Sequence, residues 1–335
     1  MSIFFNTSIL TFNAFHLIIF IFLFSAMLIY FKIAEKYNIV NKPSIRSSHD
    51  YVAIRGGGIV FWLAGALFFL VHLPQSFAFL IGFLLIGGIS FWDDISSLSV
   101  GVRLIVQLIT VGLIFFGLDV YYLFSWWKIL IAFIICIGIV NAYNFMDGIN
   151  GIMGCYSLVI LVSLQYVNQK ILSFTQPDFI NYATLASIVF LFFNFRKKAK
   201  CFAGDVGSIA ISFWIVTLLL QLMIKTGSFV WILFLAVYGV DVVFTILHRI
   251  YLRQNIFEGH RLHFYQILSN ECKVSHLKVS VIYAIVQLII CAATIYVYQT
   301  HVLNWVMAFI VVLLPLVLIY LLKFRLMKHI DNRHF

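Results

Sequence analysis

Long apolar segments recur along the whole chain, and their length is the feature that most restricts its fold. Of the 335 residues 63% are hydrophobic and only 10% are charged, which leaves too little polar surface to coat a water-soluble globule of this size. An α-helix of about 20 residues crosses the hydrocarbon core and satisfies its own backbone there. The Phe and Leu runs lack the alternation of a membrane β-barrel. We therefore predict an all-α, polytopic integral membrane protein with about 11 transmembrane helices, within a range of about 10 to 12, over residues 10–30, 57–73, 77–91, 102–117, 126–141, 152–167, 179–193, 209–224, 229–247, 279–298 and 303–322.

Basic residues concentrate on one side of the predicted bundle. With the amino terminus outside, every Lys and Arg falls in a cytoplasmic segment except Lys128, Lys170 and Lys225. The positive-inside rule then predicts an external amino terminus and a cytoplasmic carboxyl terminus. No basic residue precedes the first apolar segment, which is therefore unlike a cleavable signal peptide. The net charge of +10 faces anionic lipid or an anionic substrate at one membrane surface, and nucleic acid is not an expected partner.

The sequence shows no separate soluble domain, because its longest non-apolar stretches are too short to bury a core of their own. The five cysteines show no CxxC pairing, so neither a disulfide framework nor a zinc ribbon is indicated. We predict one transmembrane domain over residues 1–335. Its functional residues are expected in cytoplasmic loops near residues 32–56, 92–101, 141–151, 194–208 and 248–278.

Acidic residues are scarce, and five of the 12 lie at predicted helix ends on the cytoplasmic side. A carboxylate within a membrane span costs about 2.5–3.5 kcal/mol on insertion scales, so such residues mark functional sites. Asp93 and Asp94 end the third span and point about 100° apart on a helix, which predicts different roles for them. A helix end that simply pairs with Arg103 is the alternative. The acids predicted to share one site are Asp93, Asp94, Asp147, Asp205 and Asp241.

Polar residues recur at a spacing of three at the end of the fifth span. Asn141, Asn144 and Asp147 would line one side of a helix end. Gly148 and Gly151 would allow the backbone to approach a ligand closely. Oxygen ligands beside flexible backbone suit Mg²⁺ and phosphate, although Asn and Gly residues also simply terminate helices.

A basic run at residues 196–200 precedes the segment Gly204-Asp205-Val206-Gly207-Ser208, which opens an apolar helix. Glycines at a helix amino terminus expose backbone N–H groups, so this segment predicts a phosphate cradle. Asp205 is placed to hold the cation that neutralises such a phosphate. The basic run follows from membrane topology alone and carries less functional information.

Two further cytoplasmic loops carry basic residues and histidines. The first has Arg46 and Arg55, and three glycines follow that either permit contact with an anion or merely end the loop. The other has Arg249 and the stretch Gly259-His260-Arg261-Leu262-His263. Two histidines three residues apart could form a metal pair. The intervening Arg261 and the lack of a nearby Cys favour contact with a diphosphate or nucleotide instead.

Together these five elements resemble the polyprenyl-phosphate N-acetylhexosamine-1-phosphate transferases of glycosyltransferase family 4. That family includes phospho-N-acetylmuramoyl-pentapeptide transferase and the enzymes that start O-antigen and enterobacterial common antigen synthesis. The resemblance runs from about Asn41 to Gln266 with the elements in family order, and the spacing around Asp241 and His263 is similar to the O-antigen initiating branch. Two features depart from the pattern, namely Arg261-Leu262 between the histidines and Ile54 where relatives have Pro.

The resemblance implies a UDP-N-acetylamino sugar as donor, undecaprenyl phosphate as acceptor, release of UMP and a requirement for Mg²⁺ or Mn²⁺. It places the protein in the bacterial cytoplasmic membrane with its active site facing the cytoplasm. It also implies that Asp205 is the metal ligand and that Asp93 and Asp94 bind or deprotonate the acceptor phosphate. Asp147, as a catalytic residue, and Asn144 would lie near the diphosphate and nucleotide. The other expected substrate-binding residues are Arg46, Arg55, Asn141, Asp241, Arg249, His260, Arg261 and His263.

Several alternatives stay open at the level of sequence. The acceptor phosphate is itself a nucleophile, which favours direct in-line attack, but a covalent aspartyl-phosphate route is also compatible. A secondary transporter is the rival function, and it would carry midplane acids and discontinuous helices in repeated halves. A purely structural scaffold would not explain the Gly-Asp-x-Gly-Ser element. GlcNAc, FucNAc and QuiNAc are the sugars considered, for O-antigen, capsule or another envelope glycan, and a homodimer and a monomer are equally compatible with apolar helix faces.

Overall fold

The computed structural model describes residues 13–43, 48–72, 77–255 and 260–331, and most of them are helical. Two short strands, β1 (Val40–Asn41) and β2 (Ala53–Ile54), form an antiparallel pair. A 3₁₀ segment (Phe229–Leu235) precedes one helix, and a π-helical turn (Ile267–Glu271) follows another. The helices are α1 (Ala14–Lys36), α2 (Ile59–Val71), α3 (Phe77–Ile95), α4 (Val100–Gly117), α5 (Val120–Leu123), α6 (Trp126–Met146), α7 (Ile152–Lys170), α8 (Pro177–Asn194), α9 (Gly204–Thr226), α10 (Ala236–Tyr251), α11 (Phe264–Gln266), α12 (His276–Thr300) and α13 (Trp305–Asp331).

The helices confirm the predicted all-α membrane fold. Within the described residues, nine helical stretches are long and apolar enough to cross a bilayer, and α2 is a shorter apolar helix. Each predicted apolar segment overlaps a helix, and the segment 229–247 covers both the 3₁₀ segment and α10. The predicted loops are shorter than expected, because α6 continues to Met146 and α9 already begins at Gly204. Asn141 and Asn144 therefore lie on a helix and not in a loop.

Helix α9 is the centre of the bundle and packs against α2, α3, α6 and α7. In its most apolar stretch 78% of the residues are buried inside the protein, against 17% for α13 at the periphery. Apolar residues on every side of α9 allow it to be surrounded by other helices, since a helix that is hydrophobic all round belongs in a core. The start of α9 is thus held in a fixed position relative to four neighbours.

The connections after α1, α3, α6, α8 and α10 meet at one end of the bundle, which we call the polar end. Ile54 N–H donates to the carbonyl of Lys200, and Phe202 N–H donates to the carbonyl of Ile54. The hydroxyl of Tyr51 bonds to the side chain of Asn150. These bonds join three connections that are far apart in sequence and form the frame on which the polar residues sit.

The helical stretch from Phe229 to Tyr251 is discontinuous, because the 3₁₀ segment gives way to α10 at Leu235–Ala236. The break leaves backbone N–H groups that lipid cannot satisfy. Gln287 Oε1 accepts from Val237 N–H over 3.1 Å, and the hydroxyl of Tyr156 accepts from Tyr238 N–H over 3.3 Å. Tyr156 also donates to Gln287 and stacks on the Tyr238 ring at a centroid distance of 3.6 Å.

Replacement of Gln287 by Leu should destabilise the protein, because it removes the acceptor of Val237 N–H and Tyr156 O–H in a buried position. A buried polar group left unsatisfied costs about 1–3 kcal/mol, which thermal unfolding in detergent micelles would detect as a lower midpoint. Leu288→Ala on the same helix is the control, since Leu288 is 47% exposed on the bundle surface. An unchanged midpoint for Gln287→Leu would show that these bonds do not hold the break.

Candidate active site

A cavity of about 520 Å³ opens at the polar end between α3, α4, α6, α9 and α10. Part of its wall is apolar and includes Ile86, Leu104 and Ile209. The polar part comes from six separate segments of the chain. Its residues are Ser90, Asp93, Arg103, Gln107, Asn141, Asn144, Asp205, Arg249, His260, His263 and Gln266.

Asp205 is the second residue of α9 and reaches the cavity with a partly exposed side chain. Asn144 Nδ2 donates to its Oδ1 over 2.7 Å. Its other oxygen, Oδ2, lies 3.7 Å from Nη1 of Arg103. One carboxylate oxygen is therefore oriented by an amide, and the other faces the cavity beside a cation.

Asp93 also lines the cavity and shares Arg103 with Asp205. Arg103 Nη1 lies 3.2 Å from Asp93 Oδ2, while Leu98 N–H donates to Oδ1 over 2.6 Å. Arg103 thus bridges two carboxylates from α3 and α9. The sequence left a simple pairing of this helix end with Arg103 as an alternative. That pairing does occur, but it lies inside the cavity and in contact with the other polar residues.

Asp94 points away from the cavity and caps the amino terminus of α9. Its two oxygens accept from Asp205 N–H over 2.9 Å and Val206 N–H over 3.0 Å. Arg55 Nε donates to the same carboxylate over 2.8 Å. Asp94 and Arg55 pair with each other, and both lie outside the cavity lining. This arrangement does not support contact of either residue with a substrate.

The predicted phosphate cradle at the start of α9 is wrong in part, because two of the N–H groups there already donate to Asp94. Just before α2, the N–H groups of Gly57 and Gly58 likewise donate to the carbonyls of Phe202 and Ala203. The glycines serve close packing instead. A Cβ on Gly58 would lie 2.2 Å from the Cα of Gly207.

Gln107 and Asn141 form a side-chain pair between α4 and α6. Asn141 Nδ2 donates to Gln107 Oε1 over 2.8 Å, and the reverse bond measures 3.4 Å. Asn144 follows one turn later on the same helix and reaches Asp205. The spacing of three predicted a shared face for these amides, and both line the cavity.

Asp147 lies just beyond α6 and is not among the residues that line the cavity. It is half-buried, and burial together with the negative charges of Asp205 and Asp94 raises the pKa of its carboxyl to about 7. The following turn is packed tightly, since a Cβ on Gly148 would lie 2.1 Å from the Tyr265 hydroxyl. Asp147 therefore lies near the charges of Asp205 and Asp94 but outside the cavity lining.

Asp241 on α10 holds the loop at residues 260–266, which we call the histidine loop, through hydrogen bonds. It is 2% exposed and accepts from Phe264 N–H over 2.9 Å and from the Tyr283 hydroxyl over 2.7 Å. The side chains of Thr245 and His263 and the amide of Tyr265 complete its partners. The predicted substrate contact of Asp241 is not supported, because five donors surround it outside the cavity.

The remaining basic residues that the sequence predicted as substrate-binding lie in different parts of the protein. Arg249 lines the cavity and is buried, with Nε donating to Gln254 and a second nitrogen to the carbonyl of Asn255. Arg261 instead lines a second polar cavity of about 660 Å³, together with Lys197 and Lys273. Arg46 lies outside the described residues.

Four polar cavity residues were given no substrate or metal role from the sequence, namely Ser90, Arg103, Gln107 and Gln266. Arg103 and Gln107 are four residues apart on α4, directly after the Asp93-Asp94 pair. Residues at this spacing share one helix face, and that was the available signal. Gln266 had none, because its position depends on the way the histidine loop folds over Asp241.

The donor set of the cavity fits a magnesium-type cation. No group of three His, Cys, Asp or Glu side chains converges on a point anywhere in the described part of the chain. Mg²⁺ does not need such a cage, since it keeps several waters and binds through one or two carboxylates plus substrate phosphates. The cavity-facing oxygen of Asp205, with Asp93 nearby, meets that requirement.

Gly204→Ala should disrupt the start of α9. Gly204 has φ +70°, and a Cβ there would lie 2.5 Å from Asp94 Oδ2. The left-handed conformation alone costs about 1–2 kcal/mol for a residue with a side chain, so the midpoint of thermal unfolding should fall. Gly88→Ala on α3 is the matched control, because a Cβ there meets nothing within 4 Å. Equal midpoints for the two variants would contradict the capping role of Asp94.

Comparison with known proteins shows what the chain is similar to. The model of the family described as glycosyl transferase family 4 matches residues 76–223. The chain is 28% identical over 276 residues to the probable undecaprenyl-phosphate N-acetylglucosaminyl 1-phosphate transferase of Bacillus subtilis (strain 168), with 76% of each chain covered. It is 27% identical over 229 residues to the undecaprenyl-phosphate alpha-N-acetylglucosaminyl 1-phosphate transferase of Escherichia coli (strain K12), but the alignment spans only 60% of each chain. These matches agree with the resemblance to glycosyl transferase family 4 that the sequence motifs predicted.

Proposed function

We propose that this protein transfers an N-acetylamino-sugar 1-phosphate from a UDP-sugar to undecaprenyl phosphate and releases UMP. The observation that carries the proposal is the cavity in which Asp93, Arg103 and Asp205 meet at the polar end of the membrane helices. The names of the relatives from Bacillus subtilis and Escherichia coli specify undecaprenyl phosphate as their substrate, which supports the same acceptor here.

The two kinds of cavity wall suit a reaction between a lipid phosphate and a nucleotide sugar. The apolar lining from α3 and α4 offers contact for the first isoprene units of an acceptor, and the polar lining offers partners for phosphates. Arg103 and Arg249 are the basic side chains of this lining. They would offset the repulsion between two anionic substrates, since oriented cations stabilise a transferring phosphoryl group.

Asp205 is the residue proposed to hold Mg²⁺ or Mn²⁺, with Asn144 orienting its carboxylate. A bound divalent cation would neutralise charge on the diphosphate and on the leaving UMP. Asp93 is proposed to accept a proton from the acceptor phosphate or to keep that phosphate deprotonated. We assign this role to Asp93 because it lines the cavity whereas Asp94 does not. Asp94 and Arg55 would act by fixing the start of α9.

In the proposed step an oxygen of the acceptor phosphate forms a bond to the phosphorus that carries the sugar. The bond from that phosphorus to the oxygen of UMP breaks, and UMP leaves with the electron pair. Holding both substrates in line supplies much of the rate enhancement, because it replaces a bimolecular encounter. No side chain needs to be phosphorylated on this route.

The discontinuous helix at Leu235–Ala236 is a feature that the transporter alternative also predicts. In transporters such breaks commonly expose backbone groups to a substrate or ion. Here Gln287 and Tyr156 satisfy the amides of Val237 and Tyr238. The break is thus filled by protein groups, and the carboxylate-lined cavity lies at the end of the bundle, which favours the transferase.

The donor sugar is proposed to be GlcNAc or a related N-acetylamino sugar, as the names of the relatives suggest. The product would start an O-antigen, capsule or other envelope glycan. The basic connections at the polar end favour a cytoplasmic active site in the bacterial inner membrane, where UDP-sugars are available.

Asp205→Asn should reduce acceptor-dependent UMP release by about 100-fold or more, because loss of one electrostatic group at a reacting phosphoryl costs about that much. The residual rate should also lose its dependence on Mg²⁺. The assay measures UMP released by purified protein with undecaprenyl phosphate and a panel of UDP-N-acetylamino sugars. Asp119→Asn, an exposed acid outside the cavity, is the control. Full turnover by Asp205→Asn would contradict the assignment of Asp205 as the metal ligand.

Direct attack predicts that labelled UMP does not exchange into the UDP-sugar when the acceptor is absent. A covalent aspartyl-phosphate would release UMP before the acceptor reacts, and exchange would then be rapid. Incubation of the protein with UDP-GlcNAc, Mg²⁺ and radiolabelled UMP distinguishes the two, with undecaprenyl phosphate added in a parallel sample as the positive control for reversal.

A further inference from the structure

The last turn of α6 is held from outside the helix. The carbonyl groups of the final four residues of a helix have no partner within it. In this turn Asp147 N–H donates to the carbonyl of Asn144 over a long 3.3 Å. The hydroxyl of Tyr265 donates to the carbonyl of Phe145 over 2.9 Å. The shorter of the two bonds comes from a side chain that is 120 residues away in sequence.

Tyr265 is itself fixed by its surroundings. The residue is fully buried, and its backbone N–H donates to Oδ2 of Asp241 over 3.4 Å. Its ring packs edge-on against the ring of Tyr283, with centroids 6.4 Å apart. On the other side of the hydroxyl lies Gly148, where an added Cβ would be only 2.1 Å from the hydroxyl oxygen. The phenol therefore fills the space between the carbonyl of Phe145 and Gly148.

Asn144 lies in the turn that Tyr265 holds. Its Nδ2 donates to Oδ1 of Asp205 over 2.7 Å, while Oδ2 of Asp205 lies 3.7 Å from Nη1 of Arg103. A guanidinium group favours contact with both oxygens of a carboxylate. If Asn144 moved away, Arg103 could draw both oxygens of Asp205 toward itself. The position of Asn144 thus decides whether Asp205 keeps an oxygen available for a cation in the cavity.

We propose that Tyr265 is a positioning residue for the metal site. Its hydroxyl fixes the last turn of α6, and that turn holds Asn144 against the carboxylate of Asp205. The inference rests on the proposed function, in which Asp205 binds a divalent cation. Tyr265 does not line the cavity, so it acts through Asn144 and not by contact with the cation or a substrate.

Tyr265→Phe tests the proposal, because it removes the hydroxyl and keeps the ring. The affinity for Mn²⁺ in the presence of UDP-GlcNAc should fall about 3-fold to 10-fold, the range expected for the net loss of one hydrogen bond. Electron paramagnetic resonance of free Mn²⁺ measures this affinity without turnover. The Mg²⁺ concentration that gives half-maximal UMP release should rise by the same factor, whereas kcat at saturating Mg²⁺ should be preserved.

A double-mutant cycle separates this role from a general structural one. In the Asn144→Ala background Tyr265→Phe should have no further effect on Mn²⁺ affinity, because the amide through which it acts is absent. Tyr182→Phe is the matched control. Tyr182 is also fully buried, but its hydroxyl has no hydrogen-bond partner among the described residues. This control should bind Mn²⁺ with the affinity of the unmodified protein.

Gly148→Ala disturbs the same hydrogen bond from the other side. The added Cβ would push the hydroxyl of Tyr265 away from the carbonyl of Phe145, so Mn²⁺ affinity should fall by a similar factor. In the Tyr265→Phe background the substitution should add little, because the hydroxyl that it displaces is absent. Gly138→Ala on α6 is the control, since a Cβ there meets nothing within 4 Å.

The outcomes for this inference and for the proposed function are distinguishable. Unchanged Mn²⁺ affinity in folded Tyr265→Phe, or additive losses in the Asn144→Ala background, would overturn the inference even if the unmodified protein releases UMP. The expected losses of Mn²⁺ affinity without any UMP release by the unmodified protein would remove the proposed function and support the role of Tyr265. Failure of the unmodified protein to bind Mn²⁺ would overturn both.

Discussion

The carboxylate of Asp94 joins three segments of the chain at the polar end. It accepts from the first amides of α9 and from Arg55, and so ties the end of α3 and the connection before α2 to the central helix. An acidic group at a helix amino terminus is favourable because it meets unpaired N–H groups and the positive end of the helix dipole. Asp94 and Val206 are buried from water, so the same contact is worth more than it is at a protein surface.

The acidic residues at the polar end divide into those that hold the protein together and those that face the cavity. Asp94 and Asp241 are almost fully buried, and protein donors surround both carboxylates. Asp93 and Asp205 keep a side toward the cavity and share Arg103. Asp94 fixes the backbone of Asp205, and Asp241 fixes the loop that carries His263.

The membrane helices and the residue types of the site could be predicted from the sequence. A span in lipid has to satisfy its own backbone, so apolar segments of sufficient length have one solution. The ends of the helices were harder to predict from the sequence, because Asn141 and Asn144 have the polarity of a loop but lie in the last turns of α6. The glycines around Gly58 and Gly207 suggested an anion site, whereas they allow two backbones to touch. Composition alone does not distinguish a backbone that approaches a ligand from one that approaches another backbone.

The sequence by itself determined that this chain is a bundle of membrane helices, that its acids collect at one end, and that Asp205 opens a helix there. Only the tertiary structure decided which acids face the cavity. Asp94 meets an amide 111 positions away, and Asp241 meets His263 22 positions away. Adjacent residues such as Asp93 and Asp94 have the same chemistry and nearly the same local sequence. They differ in role because a helix turns by about 100° per residue, so one carboxylate reaches the cavity and the other reaches the start of α9.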